Sequence, residues 1–66
     1  MEAKKLIKVL KADGWKQVRQ NGSHAQFRKA GNSHVVTVPV HPGKEVSLNV
    51  LKDIERKTGL MLRTSR

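Results

Sequence analysis

Apolar residues Ala3, Leu6, Ile7 and Leu10 recur at i, i+3, i+4 and i+7, the spacing of one helix face. Lys4, Lys5, Lys8 and Lys11 fill most of the remaining positions. The pattern predicts a helix over 3–13, stopped by Asp13-Gly14. Trp15 to Gln20 then reads as a first strand, and Asn21-Gly22 as a two-residue hairpin loop. In the second strand, Ser23 to Lys29, Ala25 and Phe27 share one face while His24, Gln26 and Arg28 share the other. After a turn at Gly31-Asn32-Ser33, the β-branched run His34 to Val40 predicts a third strand with Val36, Val38 and Val40 inward. Pro39 marks that strand as an edge, or its end as having left the ladder. Residues 41–44 form a loop. Ser47 suits the N-cap of a helix over 48–58 whose apolar residues are Leu48, Val50, Leu51 and Ile54. Gly59 suits its C-cap, with Leu60 packing back. Residues 61–66 carry no pattern and read as a mobile tail.

The expected fold class is α+β, in the order α-β-β-β-α. A three-stranded antiparallel sheet with two helices packed on one face buries both helix stripes and leaves the other sheet face to solvent. Double-stranded-RNA-binding domains share this order, an analogy that carries no function by itself. Residues 1–60 make one domain and 61–66 the tail. With 66 residues, the chain buries only ~60% of its unfolded surface, so a functional site is expected to be shallow.

Charge changes this picture most. Lys and Arg number 14 against 5 acidic residues, a formal net charge of +9. Such an excess points to a polyanionic partner. A membrane surface would call for a broad apolar helix face with aromatic anchors, and the chain has one Trp and one Phe. With no cysteine, disulfides and thiolate zinc sites are excluded. No apolar run is long enough for a membrane span or a signal-peptide core. A cytoplasmic protein without membrane attachment is expected.

The acids Glu2, Asp13, Glu45, Asp53 and Glu55 are scattered, which does not suit the clustered carboxylates of a Mg²⁺ nuclease. No metal site and no cofactor are expected. Pro42-Gly43-Lys44-Glu45 lacks the upstream glycine and the hydroxyl of a phosphate-binding loop, leaving Lys44 as a simple cation for a phosphate. His34, on the inward parity, reads as a strand-end structural residue, and His41 as a turn residue. His24 differs, because strand parity sets it on the open face beside Gln26 and Arg28. Imidazole ordinarily titrates near neutral pH. RNA cleavage without a metal needs such a group to take the 2′-OH proton or to protonate the leaving 5′-oxygen. A cation such as Arg28 would steady charge growing on phosphorus. On the residues alone, simple RNA binding ranks ahead of catalysis.

Gly14-Trp15, Gln20-Asn21-Gly22-Ser23-His24 and Phe27-Arg28, followed by Val36-Thr37-Val38-Pro39-Val40-His41-Pro42-Gly43-Lys44-Glu45, together resemble the HicA toxin family over residues 3–60. The resemblance implies a messenger-RNA-cleaving toxin of a type II toxin–antitoxin system, with a double-stranded-RNA-binding-domain-like fold, held inactive by a HicB-type antitoxin. It implies that the His of Gly-Ser-His, here His24, is catalytic, with Gly22 shaping the turn and Ser23 fixing the strand start. The expected substrate contacts are Gly22, Ser23, Gln26, Arg28 and Lys44. No second acid or base emerges from the sequence.

Two further readings stand beside the toxin. A non-catalytic RNA-binding module would use Lys4, Lys5, Lys8, Arg19 and Arg28 on phosphates. A partner-binding protein would present its basic surface to an acidic chain. No groove-reading element for DNA is visible.

Overall fold

The computed structural model describes residues 1–63. Its elements run α1 (Ala3–Ala12), β1 (Lys16–Asn21), β2 (His24–Lys29), β3 (Asn32–Pro39) and α2 (Leu48–Thr58). The strands form one antiparallel sheet in the order β1-β2-β3. This is the expected α+β architecture.

Both helix stripes enter one core. Leu6 and Leu10 of α1 and Leu51 and Ile54 of α2 meet Ala25 and Phe27 of β2 and Val36 and Val38 of β3. Trp15, just before β1, is buried with them, and its indole N–H donates to Asp13 Oδ2 at 3.2 Å. Asp13 Oδ2 also takes Lys29 Nζ at 3.1 Å, tying the end of α1 to the end of β2. Burying a side chain such as Phe27 or Leu10 stabilises the fold by about 1.5–3 kcal/mol.

Ser47 caps α2 as expected: its hydroxyl accepts from the Val50 N–H at 3.3 Å. At the other end Gly59 adopts φ 77° and its N–H reaches the Glu55 carbonyl, a left-handed closure that glycine makes without a Cβ penalty. Leu60 packs against the core.

Several boundaries differ from expectation. Helix α1 stops at Ala12, with Asp13 as its cap. The first hairpin loop is Gly22-Ser23, because Asn21 pairs directly with His24; Gly22 takes φ 63° at the first loop position. The second loop is Ala30-Gly31, since Lys29 pairs with Asn32. Asn32 therefore starts β3, and its side-chain amide donates to the Lys57 carbonyl of α2 at 3.0 Å.

His34 is exposed despite its inward parity. The register shifts between Phe27 and Lys29 and leaves β3 with extra residues there, His34 among them; strict alternation of faces does not hold within such an irregularity. His34 instead lies within reach of Asn32 Oδ1. Val40, expected inward, is half-buried just past β3.

Strand β1 is exposed along its whole length. Both helices pack against β3, and β1 contributes nothing to the core. Val18 stands exposed where the β1–β2 register shifts.

Two residues assigned to the tail are anchored. Leu62 is buried, and its N–H and that of Arg63 donate to Glu55 Oε2 at 2.6 and 3.0 Å. Met61 is exposed, and residues 64–66 lie outside the described residues.

Candidate nucleic-acid interface

The outer face of the sheet is assembled by register. Directly opposed residues of an antiparallel pair project from the same face. Asn21 and Pro39 flank His24, Arg19 and Thr37 flank Gln26, and Lys16 stands opposite Arg28. The shift at Val18 is what puts both Lys16 and Arg19 on this face, because uninterrupted alternation would have set them on opposite faces.

His24 is exposed, while Ala25 and Phe27 beside it are 1% and 0% exposed. The expected division of β2 between core and solvent is what the structure shows. Pro39, its neighbour on β3, sits where the sheet needs no donor. The Val40 N–H donates to the Ser23 carbonyl at 2.6 Å, a bond just outside the His24–Pro39 pair. That makes the pair a non-hydrogen-bonded one, with Cα atoms about 4.5 Å apart and side chains close together.

This face is not open on every side. His24, Thr37 and Pro39 of the sheet and Asn49, Val50 and Asp53 of α2 border a groove of ≈ 330 Å³. The first half of α2 thus walls the face along β3. Within the groove, Asp53 Oδ1 takes Arg56 at 2.6 Å and Oδ2 takes Lys57 at 3.0 Å. The hydrogen bonds from Lys57 and then Arg56 hold its carboxyl below the ordinary aspartate range. Asp53 is therefore an ionised acceptor rather than a proton donor.

The expected contact residues separate into groups. Gly22 and Ser23 form the loop leading into His24, and Gln26 lies next to it on the same face. Arg28 lies four residues along β2, about 13 Å from His24 at the usual strand rise. It can meet a neighbouring phosphate rather than the one at the imidazole. Arg19, diagonal to His24 across the β1–β2 pair, is nearer at about 7–8 Å. Lys44 lies in the loop before α2, its N–H bonded to the His41 carbonyl, and does not line the groove. His41, Pro42 and Gly43 border a separate hollow with Ala3 and Ile7 at the start of α1.

Sequence reasoning missed Asn49, Val50 and Asp53, which reach the site only through the packing of α2. It also left Arg19 out of the residues around His24; the signal was Val18, an apolar residue that breaks the polar run of β1. Among the described residues, no three His, Cys, Asp or Glu side chains gather as a metal site would require. No helix among them is long and apolar enough to cross a membrane.

These features define a small basic α+β domain with an exposed histidine on a cation-flanked sheet face that α2 borders along β3. The sequence model of the family described as HicA toxin of bacterial toxin-antitoxin matches residues 3–60. No curated protein matches the chain. The chain belongs to the HicA toxin family: it is the toxin of a toxin–antitoxin system, with an antitoxin as its partner.

Proposed function

We propose that this toxin is an endoribonuclease that cleaves messenger RNA with His24 as its proton-transfer group. The observation that carries the reading is the position of His24: solvent-reachable, next to Pro39, and flanked by Arg19 and Arg28 on a face otherwise free of the core. In the reaction, the 2′-hydroxyl loses its proton and its oxygen bonds to phosphorus. The P–O5′ bond breaks and the 5′-oxygen takes a proton, leaving a 2′,3′-cyclic phosphate and a 5′-hydroxyl end. His24 serves one or both proton transfers, a role worth about 10²–10⁴-fold. Arg19 steadies the negative charge on the phosphorus oxygens. Gln26 and Arg28 hold the strand further along β2, and Gly22 and Ser23 set the loop that presents His24. Lys44 meets a more distant phosphate. No metal or cofactor enters these steps.

The same reading makes the partner a HicB-type antitoxin that covers the His24 face, assisted by charge attraction to the basic surface. It makes the fold a relative of double-stranded-RNA-binding domains and places the protein in the cytoplasm with its substrate. Residues 1–60 act as one toxin domain.

The test is incubation with a long single-stranded messenger RNA in excess EDTA, beside the His24→Ala chain. Cleavage by the unaltered chain alone supports the reading. Intact RNA in both reactions, with both chains retarding it, supports a non-catalytic RNA-binding module instead.

A further inference from the structure

We infer that the groove between His24 and α2 is a nucleobase pocket that favours an amino-bearing base (adenine, cytosine or guanine) over uracil beside the cleaved bond. The inference rests on the endoribonuclease reading for its place in the reaction, but not for its chemistry.

The groove has the right neighbours and the right size. At ≈ 330 Å³ this open groove has room for one unstacked base. RNA is read in this way, by bases splayed from single strands. Its walls combine two kinds of surface. The Pro39 ring, the Val50 side chain and the His24 imidazole offer flat or apolar contact to a base face, while Thr37, Asn49 and Asp53 offer polar groups to a base edge.

The polar groups set the preference. Asp53 is held ionised by Lys57 and Arg56, so its oxygens only accept. Each oxygen holds one cation at 2.6–3.0 Å, and a carboxylate oxygen has a second lone pair for another donor. The same two cations offset the repulsion between this carboxylate and the phosphates of RNA. Of the groove's polar side chains, Asp53 alone is engaged in side-chain hydrogen bonds among the described residues; Asn49 and Thr37 are left for a ligand. Carboxylates accept from the cytosine amino group, and Asn pairs with the adenine amino edge. Guanine presents adjacent N–H donors. Uracil presents a single N–H between two carbonyl oxygens, which a carboxylate repels.

DNA oligomers with one ribonucleotide test this, because a single 2′-OH confines cleavage to one bond. The set varies the base on each side of that bond through all four. At one of the two positions, substrates with an amino-bearing base are cleaved about tenfold faster than the uracil substrate. Asn49→Ala and Asp53→Asn each reduce that ratio to below about threefold, Asp53→Asn by adding a donor that a uracil carbonyl accepts. Binding of the same oligomers to the His24→Ala chain, read by fluorescence anisotropy, follows the same base order. Cleavage without base dependence at either position, or a dependence that neither substitution alters, overturns the inference. If the unaltered chain cuts nothing, the endoribonuclease reading falls and binding decides the pocket. A base order lost in the His24→Ala, Asn49→Ala double variant upholds the pocket; equal binding of all four bases removes it.

Discussion

His24 and Pro39 stand directly opposite one another across β2 and β3, at a pair where the ladder asks no donor of the proline. A proline inside a strand ordinarily removes a hydrogen bond. Here the ring is placed where that loss does not arise, and its fixed shape borders the imidazole. A β-branched residue would serve the strand as well, so the ring's contribution lies in the position it gives His24.

Replacing it separates the two roles. In Pro39→Ala the fold loses the rigidity proline imposes on the unfolded chain, a change of about 0.4–1 kcal/mol. The proposed cleavage falls further, up to about 10²-fold, because a misplaced catalytic group is costly. Thermal unfolding and single-turnover cleavage on the same preparation give both values. Undiminished cleavage would remove Pro39 from the site.

RNA on the outer sheet face cannot also lie against the outer side of α1, which packs on the opposite face. Salt dependence tells the two surfaces apart. Each phosphate contact to a single strand contributes about 0.7 to the slope of log K against log salt. Arg19→Gln and Arg28→Gln each lower the slope by about that amount, while Lys4→Gln and Lys8→Gln leave it unchanged. The measurement is anisotropy with the His24→Ala chain from about 50 to 200 mM salt. The reverse pattern would move the RNA to α1 and favour a binding module.

Local signals make much of this fold legible in the sequence. The α1 stripe, the Ser47 and Gly59 caps of α2 and the alternation around Phe27 each depend on neighbouring residues, and each is found in the fold. The loops were displaced because Asn21-Gly22 and Gly22-Ser23 both fit a two-residue hairpin; cross-strand register decides between them, and register is a tertiary property. His34 was misplaced for the same reason, since an irregularity in β3 leaves no mark in its β-branched run. At the site, His24 and its face followed from parity. Asn49 and Asp53 did not, because nothing local in α2 indicates which strand it overhangs.

Glu55 fastens the chain beyond α2, accepting from the Leu62 and Arg63 N–H groups and from Arg63 Nε at 2.6 Å. The hydrogen bond from the Arg63 side chain, chief among these, holds its carboxyl below the ordinary 4.5 of a glutamate. A depressed carboxyl stabilises the fold fully above its unfolded value and loses that contribution as pH falls through its folded value. The Leu62 and Arg63 amide resonances therefore titrate together with a midpoint below pH 4.5, and Glu55→Gln abolishes the transition. A midpoint at or above the ordinary value would mean that the carboxylate does not hold this segment.

Ser47 links helix capping to the groove. Its hydroxyl satisfies the Val50 N–H, and Asn49 and Val50 in that first turn line the groove beside His24. An α-helix start left without such a cap frays. Ser47→Ala thus lowers stability by about 1 kcal/mol, seen as a fall in Tm of about 4–8 °C for a domain of this size. Fraying also loosens the α2 wall, so discrimination between amino-bearing bases and uracil weakens while cleavage of the preferred substrate is largely kept. Ser47→Asp restores an acceptor at the cap and adds a charge that the helix N-terminus favours, so it recovers both stability and discrimination. Ser47→Ala with lowered Tm and unchanged base selectivity would show that the groove does not depend on the first turn of α2, and that base recognition lies on the strands alone.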